Sequence, residues 1–173
     1  MYRFTLPLVV AVIAPLSAQA QQPRPADEGA MVGPWRIEVM AKGNKFDGCS
    51  MMRRANDVGA TIVRGPDGLT LVLDSPKWKL ERGKTYPVEL LAGGGKWSAR
   101  AAADRESVSI PLTDAGFIET LRKADALQVK GDGATIAVPL DRSTAALERL
   151  DACYEKNSVS PDSNPFVAPN RRP

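Results

Sequence analysis

Apolar and polar positions alternate along most of this chain. Trp35, Ile37 and Val39 are separated by Arg36 and Glu38, and Cys49 and Met51 by Ser50. Leu69, Leu71 and Leu73 share one face of an extended chain, as do Tyr86, Val88 and Leu90. The pattern recurs at Trp97, Ala99 and Ala101, at Val108, Ile110 and Leu112, at Leu127 and Val129, and at Ile136, Val138 and Leu140. Successive strand residues point to opposite faces, so each run buries one face and wets the other, as antiparallel sheets do. Gly65-Pro66-Asp67-Gly68, Gly93-Gly94-Gly95 and Gly131-Asp132-Gly133 each lie between two such runs. They predict hairpin turns, because glycine accepts the positive φ that tight turns need. Gly93–Gly95 also invites a phosphate-cradle reading, but nothing helical follows it and no Lys-Ser/Thr pair closes it.

Two segments change period. Phe117, Ile118 and Leu121 have helical spacing after Thr113 or Asp114 as a cap. Ala146, Leu147, Leu150, Cys153 and Tyr154 have it after Ser143. A short echo accompanies them: Val108-Ser-Ile110-Pro111-Leu112 resembles Ile136-Ala-Val138-Pro139-Leu140, and a helix follows each copy. Each proline falls at the end of its strand, where a lost N–H is tolerated. The expected fold is mainly β, an antiparallel β-sandwich or partly closed barrel with two short helices in the C-terminal half.

The ends of the chain differ from its middle. Residues 1–20 read as a signal peptide: Arg3 supplies a short positive region, Phe4 to Leu16 is apolar, and Ala18-Gln19-Ala20 has the small-x-small cleavage pattern. The apolar run carries Pro7 and Pro15 and falls short of the roughly 20 residues that span a bilayer. No later segment is apolar enough to serve, so no integral membrane segment is expected after cleavage. Residues 21–32 read as a flexible leader, 33–157 as a single β-rich domain, and 158–173, rich in Pro, Ser and Asn, as a disordered tail. Export predicts a periplasmic or secreted location. In such a compartment the two cysteines, Cys49 and Cys153, are expected to pair. The bridge closes a loop of about 100 residues, worth roughly 4–5 kcal/mol in the chain-entropy model.

Composition mainly excludes. Lys and Arg total 23 and Asp and Glu 20, interspersed, with no basic stripe of interleaved aromatics, so no nucleic-acid partner is expected. There is no histidine, which removes Ser-His-Asp triads, Cys-His dyads and the usual zinc sites. Neither Gly-x-Ser-x-Gly, nor Ser-x-x-Lys, nor an Asp-rich calcium loop occurs. Ser50, after Cys49, lacks a neighbouring base and reads as a strand residue. Asp47, Asp57, Asp67, Asp74 and Glu89 keep a carboxylate-dependent hydrolase open as an alternative, since such a pair need not be close in sequence. No catalytic residue, metal or cofactor is assigned, and the chain is not expected to be an enzyme. Trp35 and Trp97 lie in phase with apolar faces. Trp78, in Pro76-Lys77-Trp78-Lys79-Leu80, breaks the alternation; it either plugs the end of the core or stands on a binding surface as an aromatic anchor.

The layout resembles the invasion-associated locus B family of small exported alphaproteobacterial proteins. The resemblance rests on Trp35-Arg36-Ile37, on Asp47-Gly48-Cys49, and on the segment Pro76-Lys77-Trp78-Lys79-Leu80-Glu81-Arg82-Gly83. It extends to the closing helix Ser143 to Cys153 and to Asn164-Pro165-Phe166. It implies an envelope or host-contact role and carries over no catalytic residue. The function expected is a non-enzymatic exported module that binds another envelope component, a protein among the candidates. The alternatives are the hydrolase and a protease inhibitor presenting a rigid exposed loop.

Overall fold

The computed structural model describes residues 29–158. The signal peptide, most of the leader and nearly all of the tail lie outside them. Ten strands form one antiparallel sheet in the order β1-β2-β3-β4-β5-β8-β7-β6-β9-β10. They are β1 (Ala30–Val32), β2 (Trp35–Lys42), β3 (Lys45–Ala55), β4 (Val58–Gly65), β5 (Gly68–Asp74), β6 (Thr85–Ala92), β7 (Gly95–Asp104), β8 (Ser107–Leu112), β9 (Ala126–Lys130) and β10 (Thr135–Pro139). Two helices, α1 (Ala115–Leu121) and α2 (Ser143–Ser158), complete the chain. The mainly β expectation holds, with both helices late. The sheet is one continuous layer of strand pairing, neither two stacked sheets nor a closed barrel. β1 falls within the segment read as leader, pairing with β2 through Ala30–Ile37 and Val32–Trp35. α2 is longer than a short helix and takes in Ser158, the first residue assigned to the tail.

All three glycine turns named above are hairpins. Gly93 and Gly94, at φ +53° and +80°, form a two-residue turn between β6 and β7, so this segment is a turn and not an anion cradle. Asn56 and Arg105 take the same left-handed backbone in the β3–β4 and β7–β8 turns without glycine, which the sequence did not signal. The chain departs from the meander twice, between β5 and β6 and, through α1, between β8 and β9. After β5, residues 75–84 carry it past two strand positions, and β6, β7 and β8 fold back so that β8 pairs with β5.

Register explains the core. Ile37 faces Met51, Met51 faces Ile62, Ile62 faces Leu71 and Leu71 faces Ile110, a buried apolar row across five strands. A second row runs Trp97, Leu90, Val129 and Ile136. The helices cover these rows. α2 lays Ala146, Leu147 and Leu150, all buried, on β2 to β4, and Cys153 is bonded to Cys49 of β3. α1 inserts Phe117 against Trp97, with ring centroids 5.1 Å apart, and its N-cap is Asp114, whose carboxylate accepts from the Phe117 N–H at 2.7 Å. Ser143 is not the cap of α2 but its first helical residue, following Arg142 at φ +63°.

Near the ends of β3 and β10, one side chain ties the sheet together. Arg53 of β3 donates to the Pro139 carbonyl at 2.7 Å and to the Asp141 carboxylate at 2.6 Å. Its guanidinium lies 5.3 Å from the Trp35 ring centroid, and Trp35 Nε1 donates to the Asp141 carbonyl.

Candidate functional site

Residues 75–84 form a strap rather than a loose loop. Ser75 N–H donates to the Glu106 carbonyl at 2.9 Å, Leu80 N–H to Arg105 at 2.7 Å and Gly83 N–H to Ala103 at 2.8 Å. The strap is thereby fastened along the β7–β8 hairpin. Trp78 N–H donates back to the Ser75 carbonyl, forming a turn that presents the indole inward. The ring is half-buried and packs against the core, with open space beside it.

Trp78 and Leu80 form one wall of an open groove of about 180 Å³ at the end of the core. Tyr86 and Val88 of β6, Val108 of β8 and Ile136 of β10 line the rest, over a floor of buried Leu73 and Val129. Trp78, Leu80, Tyr86, Val88, Val108 and Ile136 are all half-buried. Lys84 Nζ lies 5.7 Å from the centroid of the Tyr86 ring. Of these residues the sequence singled out only Trp78. Tyr86, Val88, Val108 and Ile136 sit in phase on the buried face of their strands and read as ordinary core, so the alternation gave no sign that the core stops short of closing there.

The carboxylates considered for hydrolysis sit elsewhere, and three of the five are engaged by cations. Asp57 pairs with Lys77, Asp74 with Arg54 at 2.5 Å, and Glu89 with both Lys96 and Lys130. Asp47 and Asp67 are exposed. Lys77 holds the Asp57 carboxyl below its ordinary pKa, first by a hydrogen bond and then by charge. Lys96 does the same for Glu89, and Arg53 for Asp141. A general acid needs the opposite shift. Among the described residues no cluster of three or more acidic, histidine or cysteine side chains is placed to hold a metal. Ser50 is buried in β3.

These shifts set a pH dependence. A depressed carboxyl contributes stability that is fully present above its unfolded pKa, near 4, and is lost as pH falls through the lower folded value. Lys84, raised by its hydrogen bond to Glu81, contributes below its unfolded pKa, near 10, and loses that only as pH rises through a higher one. With no histidine to titrate between, Tm is expected to be flat from about pH 5 to 8, to fall in acid, and to fall again only in strong alkali. Thermal melts followed by circular dichroism check this; a step in Tm near pH 6.5 would contradict it.

The structure therefore defines a disulfide-stapled antiparallel sheet wrapped on two helices, with an apolar groove at one end. In fold it resembles the crystal structure of invasion associated protein B from Bartonella henselae. The TM-score is 0.55 at 22% identity, and the match covers 73% of this chain and 96% of that one. No family model matches the chain, and no curated protein matches it in sequence. Among the described residues no helix is long and apolar enough to cross a membrane.

Proposed function

We propose that this protein is a non-enzymatic, exported binding module of the cell envelope, and that it holds its partner through an apolar group seated in the groove beside Trp78. The groove itself carries this reading. It is open, apolar and bounded by a strap whose backbone is hydrogen-bonded in place, so its walls stand ready without rearrangement. Its volume exceeds the roughly 150 Å³ of an apolar cavity that takes up benzene, enough for one branched aliphatic or aromatic group.

The Cys49–Cys153 disulfide supports a location outside the cytosol, in the periplasm or beyond the cell, because such bonds persist in oxidising compartments. The fold likeness to a protein named for invasion agrees with an envelope or host-contact role. The paired, pKa-lowered carboxylates weigh against the hydrolase alternative. The fastening of the strap along β7–β8 weighs against a free inhibitory loop, since it is the longest connection between described strands that holds no helix.

The test compares wild type with Trp78→Ala, using an apolar dye such as anilinonaphthalene sulfonate and capture from envelope extract. Trp78→Ala is expected to weaken dye binding about tenfold and to abolish capture. Because Trp78 is only half-buried, the stability cost should stay near 2 kcal/mol, below that of a core aromatic. Unchanged binding by the variant, or turnover of a peptide or glycan by the wild type, would overturn the reading.

A further inference from the structure

Resting on that binding role, we infer that the partner is an extended peptide segment of another protein. It adds as a strand to the free edge of β10 and places one apolar side chain in the Trp78 groove.

One edge of the sheet has no strand partner among the described residues. β10 ends the sheet and pairs only with β9 among the described residues. Leu140 N–H donates to the Asp125 carbonyl and Gly131 N–H to the Ala134 carbonyl. In an antiparallel pair hydrogen-bonded positions alternate, so Ile136 and Val138 turn their backbone groups to β9. Positions 135, 137 and 139 turn theirs outward. Position 139 offers no ladder: proline has no N–H, and the Pro139 carbonyl already accepts from Arg53. What remains is the N–H and C=O of Thr135 and of Ala137, on two exposed residues. The opposite edge, β1, is only three residues long, the usual protection of an edge strand.

The groove begins where this ladder is free. An incoming strand bonded to Thr135 and Ala137 sets its middle residue directly opposite Ile136, at a Cα separation of about 4.5 Å and on the same face. That face is the groove, which Ile136 lines together with Trp78. Main-chain bonds then supply affinity, and the single pocket selects an apolar middle residue while its neighbours point to solvent.

The probe is a capped pentapeptide with leucine at its centre and serine or threonine elsewhere, titrated into isotope-labelled protein. The leucine peptide is expected to shift the amide signals of Thr135 and Ala137 and to slow their hydrogen exchange. Central serine, N-methylation of the peptide backbone, and Ala137→Pro should each weaken binding at least tenfold. Ala137→Pro removes an N–H that β9 does not use, so its Tm should fall little; the N-methylated peptide repeats the test on wild type if the variant folds poorly. Equal binding of the leucine peptide to Ala137→Pro and wild type would overturn the inference. So would equally tight binding of 4-methylpentanamide, an isolated aliphatic amide; the groove would then take small apolar molecules, and the binding role would stand. A dimer whose Thr135 and Ala137 amides are already protected without peptide would assign the edge to a second copy, and would also overturn it. If neither peptide nor dye perturbs the groove, the binding role fails with it.

Discussion

Replacing both cysteines by alanine is expected to lower stability by about 4 kcal/mol, the chain-entropy value for so long a loop. For a domain of this size that corresponds to a fall in Tm of about 10 °C or more. The bridge joins residues 104 apart in sequence, so in the unfolded chain it restrains almost the whole described domain. In the folded protein it adds little packing that α2 lacks without it, because Ala146, Leu147 and Leu150 already seat the helix on the sheet. The variant should therefore fold to the same structure and unfold at lower temperature. Melts of Cys49→Ala/Cys153→Ala beside oxidised and reduced wild type check this. Reduced wild type should behave like the double variant. A loss below about 1 kcal/mol would mean that the unfolded chain is already compact without the bridge.

Phe117→Ala is expected to cost about 3–5 kcal/mol, the range for truncating a buried aromatic. Phe117 is 1% exposed, and its edge-to-face contact with Trp97 adds to the burial. The consequence reaches beyond the cavity. α1 has only seven residues, too few to stay helical without tertiary contacts. Removing its principal anchor should loosen the segment between β8 and β9 as a unit and expose Trp97. Denaturant titration gives the free energy, and Trp97 fluorescence should shift to the red before the global transition. Phe117→Leu, which keeps most of the volume, should recover more than half of the loss. If Phe117→Ala costs under 1 kcal/mol, the helix is not held by this residue.

The two cysteines and the helical phase of Phe117 were both legible in the chain, since period and redox compartment are local or compositional signals. So were most of the strands, whose alternation survives because one face of the sheet is buried and the other wet; β1, three residues long, was read as leader. The partial closure at Trp78 was not legible. Tyr86, Val88, Val108 and Ile136 obey the same alternation as Leu71 or Ile110, yet they line an open groove while those two are fully buried.

The chain by itself determined eight of the ten strands, three of the turns, the two helices and the pairing of its only cysteines. Each depends on neighbours a few residues away or, for the disulfide, on there being one possible partner. Tertiary structure alone decided that the strands join in one open sheet, because that depends on the return of β8 to β5 and on which edges remain unpaired. It also decided that the groove exists. Its lining comes from β5, β6, β7, β8, β9, β10 and the strap. Whether such a set of apolar faces meets or leaves a gap depends on the distances between elements, which no single stretch of sequence encodes.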